Sequence, residues 1–145
     1  MPVADRLKEL GLELPTVTPG KLAPAVRTGN LVYTSGATSK INGKVGTDVP
    51  VDQAYAAARE AILGCLASVR WLIGDLEKVT RVVKLLGMVN CGEGFYDTPS
   101  VIHGATDTLV GLFGQEKGWH ARSAIGVYQL PGNAAVEIEL IVEVE

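Results

Sequence analysis

Apolar and polar positions alternate with a period of two along "VEIELIVEV" near the C-terminal end of the chain. Val136, Ile138, Leu140, Val142 and Val144 fall on one side, and Glu137, Glu139, Ile141 and Glu143 on the other, which predicts a strand with one buried face. The glutamate side keeps an isoleucine, and a half-apolar outward face calls for cover by a partner chain, most simply a second copy of the same chain. A different period rules the middle of the sequence. Ala54, Ala58, Ile62, Cys65, Val69 and Leu72 recur at spacings of three and four, predicting a long helix over about Val51 to Ile73, opened by Pro50 and Asp52 and closed by Gly74. Its small N-terminal residues allow it to lie close to a sheet.

The remaining elements follow from the same patterns. "AVRTGN" and "LVYTSG" read as two strands joined by a two-residue turn at Gly29-Asn30, and "SKINGKVGTD" supplies turns and at most a short strand. "KVTRVVKLLGMVN" reads as a strand. Asp97-Thr98-Pro99 starts a second helix, with Thr98 as cap, Pro99 at the first helical position and Gly114 as the stop; Ile102, Ala105, Leu109 and Leu112 form its apolar stripe. "ARSAIGV" and "VEIELIVEV" then make two strands joined through Leu130-Pro131-Gly132-Asn133. Ahead of all this, Asp5 to Leu10 forms a short amphipathic helix, and "ELPTVTPGKLAP" an extended connection, so that residues 1–23 are a lead-in. The order β-β-(β)-α-β-α-β-β predicts an α+β sandwich: one mostly antiparallel sheet with two helices on one face, forming a single domain over residues 1–145.

Charge narrows the partners. The 13 Lys and Arg against 16 Asp and Glu leave no basic stripe of the kind that tracks phosphates, so nucleic acid is not expected. Cys65 and Cys91 are too few for a disulfide framework and sit in no metal-binding spacing; with two separated histidines they give no metal site. The N-terminal residues contain no continuous apolar segment, and no apolar run approaches the ~20 residues of a spanning helix, so a cytoplasmic protein is expected.

The charged residues of the last two strands are the candidate chemistry. Arg122 carries a planar fork of donors that fits a carboxylate, although on spacing alone a salt bridge to a nearby glutamate is the simpler explanation. Glu137 could orient or activate a water, or could simply be a solvated face. If the last two strands form a hairpin, Glu137 stands opposite about Val127 and roughly 17 Å from Arg122, so the two could act together only across a subunit boundary. His120 alternates onto the side of Arg122 and titrates in a useful range, while His103 falls away from the apolar stripe and reads as solvated. Ser35 and Gly36 offer a hydroxyl and close backbone approach, or a plain turn. Cys65 reads as core, and Cys91 as a loop thiol with no neighbour to activate it.

Together "AVRTGNLVYTSG", the long helix, "ARSAIGVYQLP" and "VEIELIVEV" resemble the Rid family, also called YjgF-like or L-PSP endoribonuclease-like proteins; the resemblance runs from about Pro24 to the end. "RLKELGLELP" and "HARSAIGV" are similar to a divergent branch of it. The resemblance implies a chorismate-mutase-like fold and a homotrimer with ligand clefts between subunits. It also implies cofactor-independent hydrolysis of reactive 2-enamine or 2-imine acids to 2-oxo acids and ammonia. Arg122 then matches the arginine that holds the substrate carboxylate, Glu137 the glutamate that assists water, and Ser35 and Gly36 the turn beside the ligand. The archetype's tyrosine falls at Leu22, its cysteine at Ala124 and its loop asparagine near Glu93, so three lining positions differ. Those departures keep open a non-catalytic, carboxylate-binding or regulatory trimer, while ribonuclease activity runs against the acidic charge balance.

Overall fold

The computed structural model describes every residue from Met1 to Glu145. Helix α1 (Val3–Glu9) and the lead-in precede strands β1 (Ala25–Thr28), β2 (Leu31–Thr34) and β3 (Ala37–Thr38), helix α2 (Val51–Ile73), strand β4 (Val79–Asn90), helix α3 (Thr98–Gly118), and strands β5 (Ala121–Val127) and β6 (Val136–Val144). The turn between β1 and β2 is the expected two-residue one, with Thr28 opposite Leu31 and Gly29 at φ 56°. No helix is long and apolar enough to cross a membrane.

The expected hairpin between the last two strands does not form. The sheet runs β1-β2-β6-β4-β5, with β3 also pairing with β6. β5 lies parallel to β4, with Arg122 opposite Leu85, whereas β6 runs antiparallel along the other edge of β4, with Leu140 opposite Leu85 and Glu137 opposite Met88. Two constraints produce this arrangement. A strand-helix-strand unit returns parallel to its first strand, so α3 delivers β5 alongside β4. The more apolar strand then takes the centre: Val136, Ile138, Leu140, Val142 and Val144 are all buried, a gross gain of about 10 kcal/mol. β5, with Arg122, Ser123 and Gly126, is left at the edge, where charged and small residues are tolerated. The connection crosses the end of β4 instead of folding back, and Asn90 pins it there. Asn90 Nδ2 donates to Asn133 Oδ1 and to the Ala134 carbonyl, both at 3.1 Å, while Asn133 takes a left-handed φ of 57°.

Both long helices cover the same sheet face. The stripe predicted on α2 is buried from Ala54 to Val69, with Leu72 partly exposed, and the stripe on α3 is buried throughout. Glycines set the spacing of these layers. At Gly87 of β4, a Cβ would stand 2.6–2.8 Å from three atoms of Ile102, so α3 sits directly on the strand. At Gly104 of α3, a Cβ would collide with the backbone carbonyl of Tyr55 in α2. Two details of α3 differ from expectation. Asp97, not Thr98, caps it, accepting from the Ser100 N–H at 3.4 Å, because Thr98 is buried and donates its hydroxyl to the Ala124 carbonyl at 2.9 Å. Gly114, at φ 85°, interrupts the helix without ending it, and one further turn runs to Gly118.

The opposite sheet face carries no helix. Leu31, Tyr33, Leu86, Met88, Ile125 and Ile141 share it with Lys84, Glu137, Glu139 and Glu143, and no apolar member of the set is fully buried. The close approach of the helices gives a direct test: Gly104→Ala should lower the unfolding free energy by about 3 kcal/mol, since neither backbone can yield, as read from urea unfolding midpoints. A change below about 0.5 kcal/mol would show that the helices separate freely.

Candidate functional site

Apart from Glu93, the residues picked out by sequence fall into two groups, one on each side of the sheet. Arg122, opposite buried Leu85, points to the helix side, whereas Glu137, opposite Met88, points to the open side, because Leu85 and Met88 are an odd number of residues apart. Arg122 is also three residues along β5 from Ile125, the residue level with Met88 and Glu137. The two are therefore separated by about 14 Å in the sheet plane as well as by the sheet itself. The separation expected from a hairpin survives, for a different reason.

The basic group is built on the edge where α3 meets β5. At Gly118 a Cβ would crowd the Leu109 carbonyl at 2.7 Å, so only glycine lets the chain turn this tightly from helix into strand. His120 closes the turn, its Nδ1 lying 2.7 Å from the Gly118 carbonyl. A carbonyl only accepts, so Nδ1 carries the proton and Nε2 accepts the hydroxyl of Thr106 at 3.1 Å. Arg122 Nη1 in turn donates to Thr106 Oγ1 at 3.2 Å and to His103 Nδ1 at 2.9 Å. Burial pushes the His120 pKa below its usual value; the Gly118 carbonyl opposes this and the charge of Arg122 adds to it. His120 thus fits the neutral tautomer that its partners demand.

Neither acceptor on Arg122 is an acid, so the salt bridge weighed for it is absent from these contacts and its positive charge is not cancelled there. Its Nε and Nη2 donors make no hydrogen bond within the chain. Two members of this group, His103 and Thr106, are not apparent from the strand motifs. His103 is exposed, yet it is a ligand of Arg122 and not a free surface residue. The signal in the sequence is the i, i+3 pair His103 and Thr106 on one helix face, with the alternation His120, Arg122 beside it. Ala124 lies two residues further along the same side of β5 and presents only a methyl.

The acidic group is built where β3 crosses β6. Thr38 pairs with Glu137, and the Glu137 carboxylate folds over Gly36, occupying the place where a Cβ would stand. Gly36 thus leaves the glutamate room to lie against bare backbone at this corner. Ser35 ties the lead-in to this corner: its hydroxyl donates to the Ala23 carbonyl at 2.7 Å and its N–H to the Pro24 carbonyl at 2.9 Å. Leu22 is thereby brought near, 73 % exposed. Partial burial raises the Glu137 pKa above the ordinary 4.5, and the neighbouring charge of Glu139 raises it further. No side chain or backbone group donates to it. Glu93 belongs to neither group and stands exposed in the loop after β4.

The cysteines are placed as their surroundings predict. Cys65 is fully buried, its pKa pushed up to about 12 chiefly by desolvation, and Cys91 is raised by partial burial despite the nearby Lys44. Both stay thiols at neutral pH, which makes them poor nucleophiles. No three His, Cys, Asp or Glu side chains are grouped to hold a metal.

A mixed sheet covered on one face by two helices, with a free arginine at one edge and a cradled glutamate on the bare face, defines an α+β fold of the chorismate-mutase-like class. Residues 4–144 match the family described as "YjgF/chorismate_mutase-like, putative endoribonuclease", and the chain belongs to that family. Protein TCP17 of Trypanosoma cruzi is 38% identical over 97% of this chain and 93% of its own. The crystal structure of Atu1372 from Agrobacterium tumefaciens, of unknown function, is 40% identical and superimposes with a TM-score of 0.92, covering 99% of this chain and 92% of that one. The E. coli protein TdcF, crystallised with bound serine, shares the fold at 19% identity and a TM-score of 0.58, over 91% and 94% of the two chains.

Glu137 provides a test of these electrostatics. Folding raises its pKa, so its ionised form costs stability; the cost is absent below the unfolded titration, appears as pH rises toward the folded pKa, and is constant above it. Glu137→Gln should therefore raise the melting temperature at pH 7 by about one degree, the carboxylate being partly solvated, and leave it unchanged at pH 3. A lower melting temperature at pH 7 would contradict the origin assigned to the shift.

Proposed function

We propose that this protein hydrolyses reactive 2-imino acids, and the 2-enamino acids that tautomerise to them, to 2-oxo acids and ammonia in clefts between copies of the chain. The observation that carries the reading is Arg122, held at a sheet edge by neutral acceptors with its charge uncancelled and two donor nitrogens open. That edge fits the two oxygens of a small carboxylate. The bound serine of the distantly related TdcF, itself a small carboxylate, is consistent with such a ligand.

In this reading Arg122 fixes the carboxylate and thereby the adjacent imine carbon. Water adds to that carbon and gives a proton to Glu137, a carboxylate that partial burial makes readier to hold a proton than an ordinary glutamate. Glu137 returns that proton to the nitrogen, giving the carbinolamine; it then takes the proton of the new hydroxyl and passes it to the same nitrogen, so that the C–N bond breaks and ammonia leaves as the C=O bond forms. Only protons are transferred, so the step itself calls for no redox cofactor. Arg122 and Glu137 lie on opposite faces of one sheet, and a cleft holding both draws them from two chains. A homotrimer, with the bare faces turned inward, supplies such clefts and covers the half-apolar surface.

Purified protein should accelerate ammonia release from the imine that an amino-acid oxidase forms from alanine. Arg122→Ala should lower kcat/KM about a hundredfold, and Glu137→Gln should act mainly on kcat. Equal rates with and without protein, or an unimpaired Arg122→Ala variant, would overturn the assignment. Leu22 and Ala124, which offer a ligand no polar group, favour a second reading as a carboxylate-binding, non-catalytic trimer. Pyruvate that raises the melting temperature in an Arg122-dependent way, without any ammonia release, would select it.

A further inference from the structure

We infer that His103 and Thr106 are positioning residues that aim Arg122 at the ligand carboxylate, and that His120 fixes Thr106 in the orientation this requires; the inference rests on the carboxylate-anchoring role proposed for Arg122. Its basis is a set of hydrogen bonds in which each donor direction is dictated by the next partner. The Gly118 carbonyl can only accept, so His120 Nδ1 donates to it and Nε2 accepts. Thr106 has a single hydroxyl proton, and it goes to His120 Nε2, leaving the Thr106 oxygen lone pairs facing β5. Arg122 has donors and no acceptor, so Nη1 donates one proton to Thr106 and its other to His103 Nδ1. His103 must then carry its own proton on Nε2.

The geometry has a specific consequence for the guanidinium. Both protons of Nη1 are occupied by α3, which fixes the plane of the fork and turns the Nε and Nη2 edge away from the helix. A long side chain at a strand edge would otherwise sample many rotamers, and holding it ready reduces the entropy lost when a ligand binds. The choice of acceptors also matters. A carboxylate in place of either would hold the fork as firmly but would cancel the charge that attracts the ligand, whereas a neutral imidazole and a hydroxyl orient it and leave the charge in place. The device depends on side chains of α3 that lie 16 and 19 residues before Arg122 in sequence, and on the Gly118 turn that brings His120 back onto the same face.

The test measures pyruvate binding by calorimetry and imine hydrolysis by ammonia release, for the whole protein and for five variants. His103→Ala and Thr106→Val should each weaken pyruvate binding and raise KM about tenfold, with kcat changed less than threefold and the melting temperature within about two degrees of the parent. His103→Asn, which keeps an acceptor close to the position of Nδ1, and Thr106→Ser, which keeps the hydroxyl, should recover most of the affinity. Unchanged binding in both His103→Ala and Thr106→Val, while Arg122→Ala abolishes it, would overturn this inference and leave the carboxylate anchor intact. If Arg122→Ala itself binds pyruvate normally, the functional reading fails first. A loss of affinity that neither conservative variant repairs would also overturn it, since that pattern reports damage to α3 and not lost orientation.

Discussion

The insertion of β6 between β2 and β4 governs where every charged group of the C-terminal segment ends up. Five alternate apolar residues of β6 are buried beneath α2 and α3, and their gross burial is comparable with the whole net stability of a domain this size. Once that register is fixed, Glu137, Glu139 and Glu143 have no choice but the bare face, since a shift of one residue would bury all three together. β5 is displaced to the edge by the same event. Arg122 then faces α3 instead of the glutamates, and meets there only neutral acceptors. Separation of the two charged groups is thus a by-product of core packing, and it leaves each of them without an opposite charge among its contacts.

An uncompensated arginine and a partly buried glutamate with a raised pKa are both costly, and costs of this kind concentrate at sites of function. Gly36 underlines the point. The Glu137 carboxylate fills the space that a side chain there would take, so at the corner between β2 and β3 the acid packs against bare backbone. The bare sheet face fits the same picture: it exposes Tyr33 and Ile125 among glutamates, a surface suited to a partner chain. In the proposed function these features belong together, with one copy contributing its arginine edge and the next its cradled glutamate.

Much of this was legible in the sequence because it depends on periodicity. The stripe on α2, the alternation along β6 and the Gly29-Asn30 turn all appear where the pattern puts them, and Arg122 with Glu137 stands out against apolar strands. The strand order was not legible. A short connection between two strands reads as a hairpin by local rules, and only competition for the central position, decided by Val136 to Val144 against Ser123 and Gly126, sends β6 to the other side of β4. Nor was the support of Arg122 visible in the strand motifs. His103 and Thr106 are distant from it along the chain, and a polar residue off the apolar stripe of a helix looks solvated until the neighbouring strand is placed. Asp97 and Thr98 exchange roles for a similar reason: both can cap a helix, and burial of Thr98 against the Ala124 carbonyl leaves the cap to Asp97.

The most direct test of a cleft shared between chains is complementation of two inactive variants. Arg122→Ala and Glu137→Gln chains are produced together, or unfolded, mixed in equal amounts and refolded, and ammonia release is compared with that of each variant alone. If each cleft takes its arginine from one chain and its glutamate from another, random mixing makes about a quarter of the clefts intact, and about a quarter of the parent activity returns. If both residues served a site within one chain, no mixture would contain an intact site; activity no higher than that of the separate variants would contradict the account.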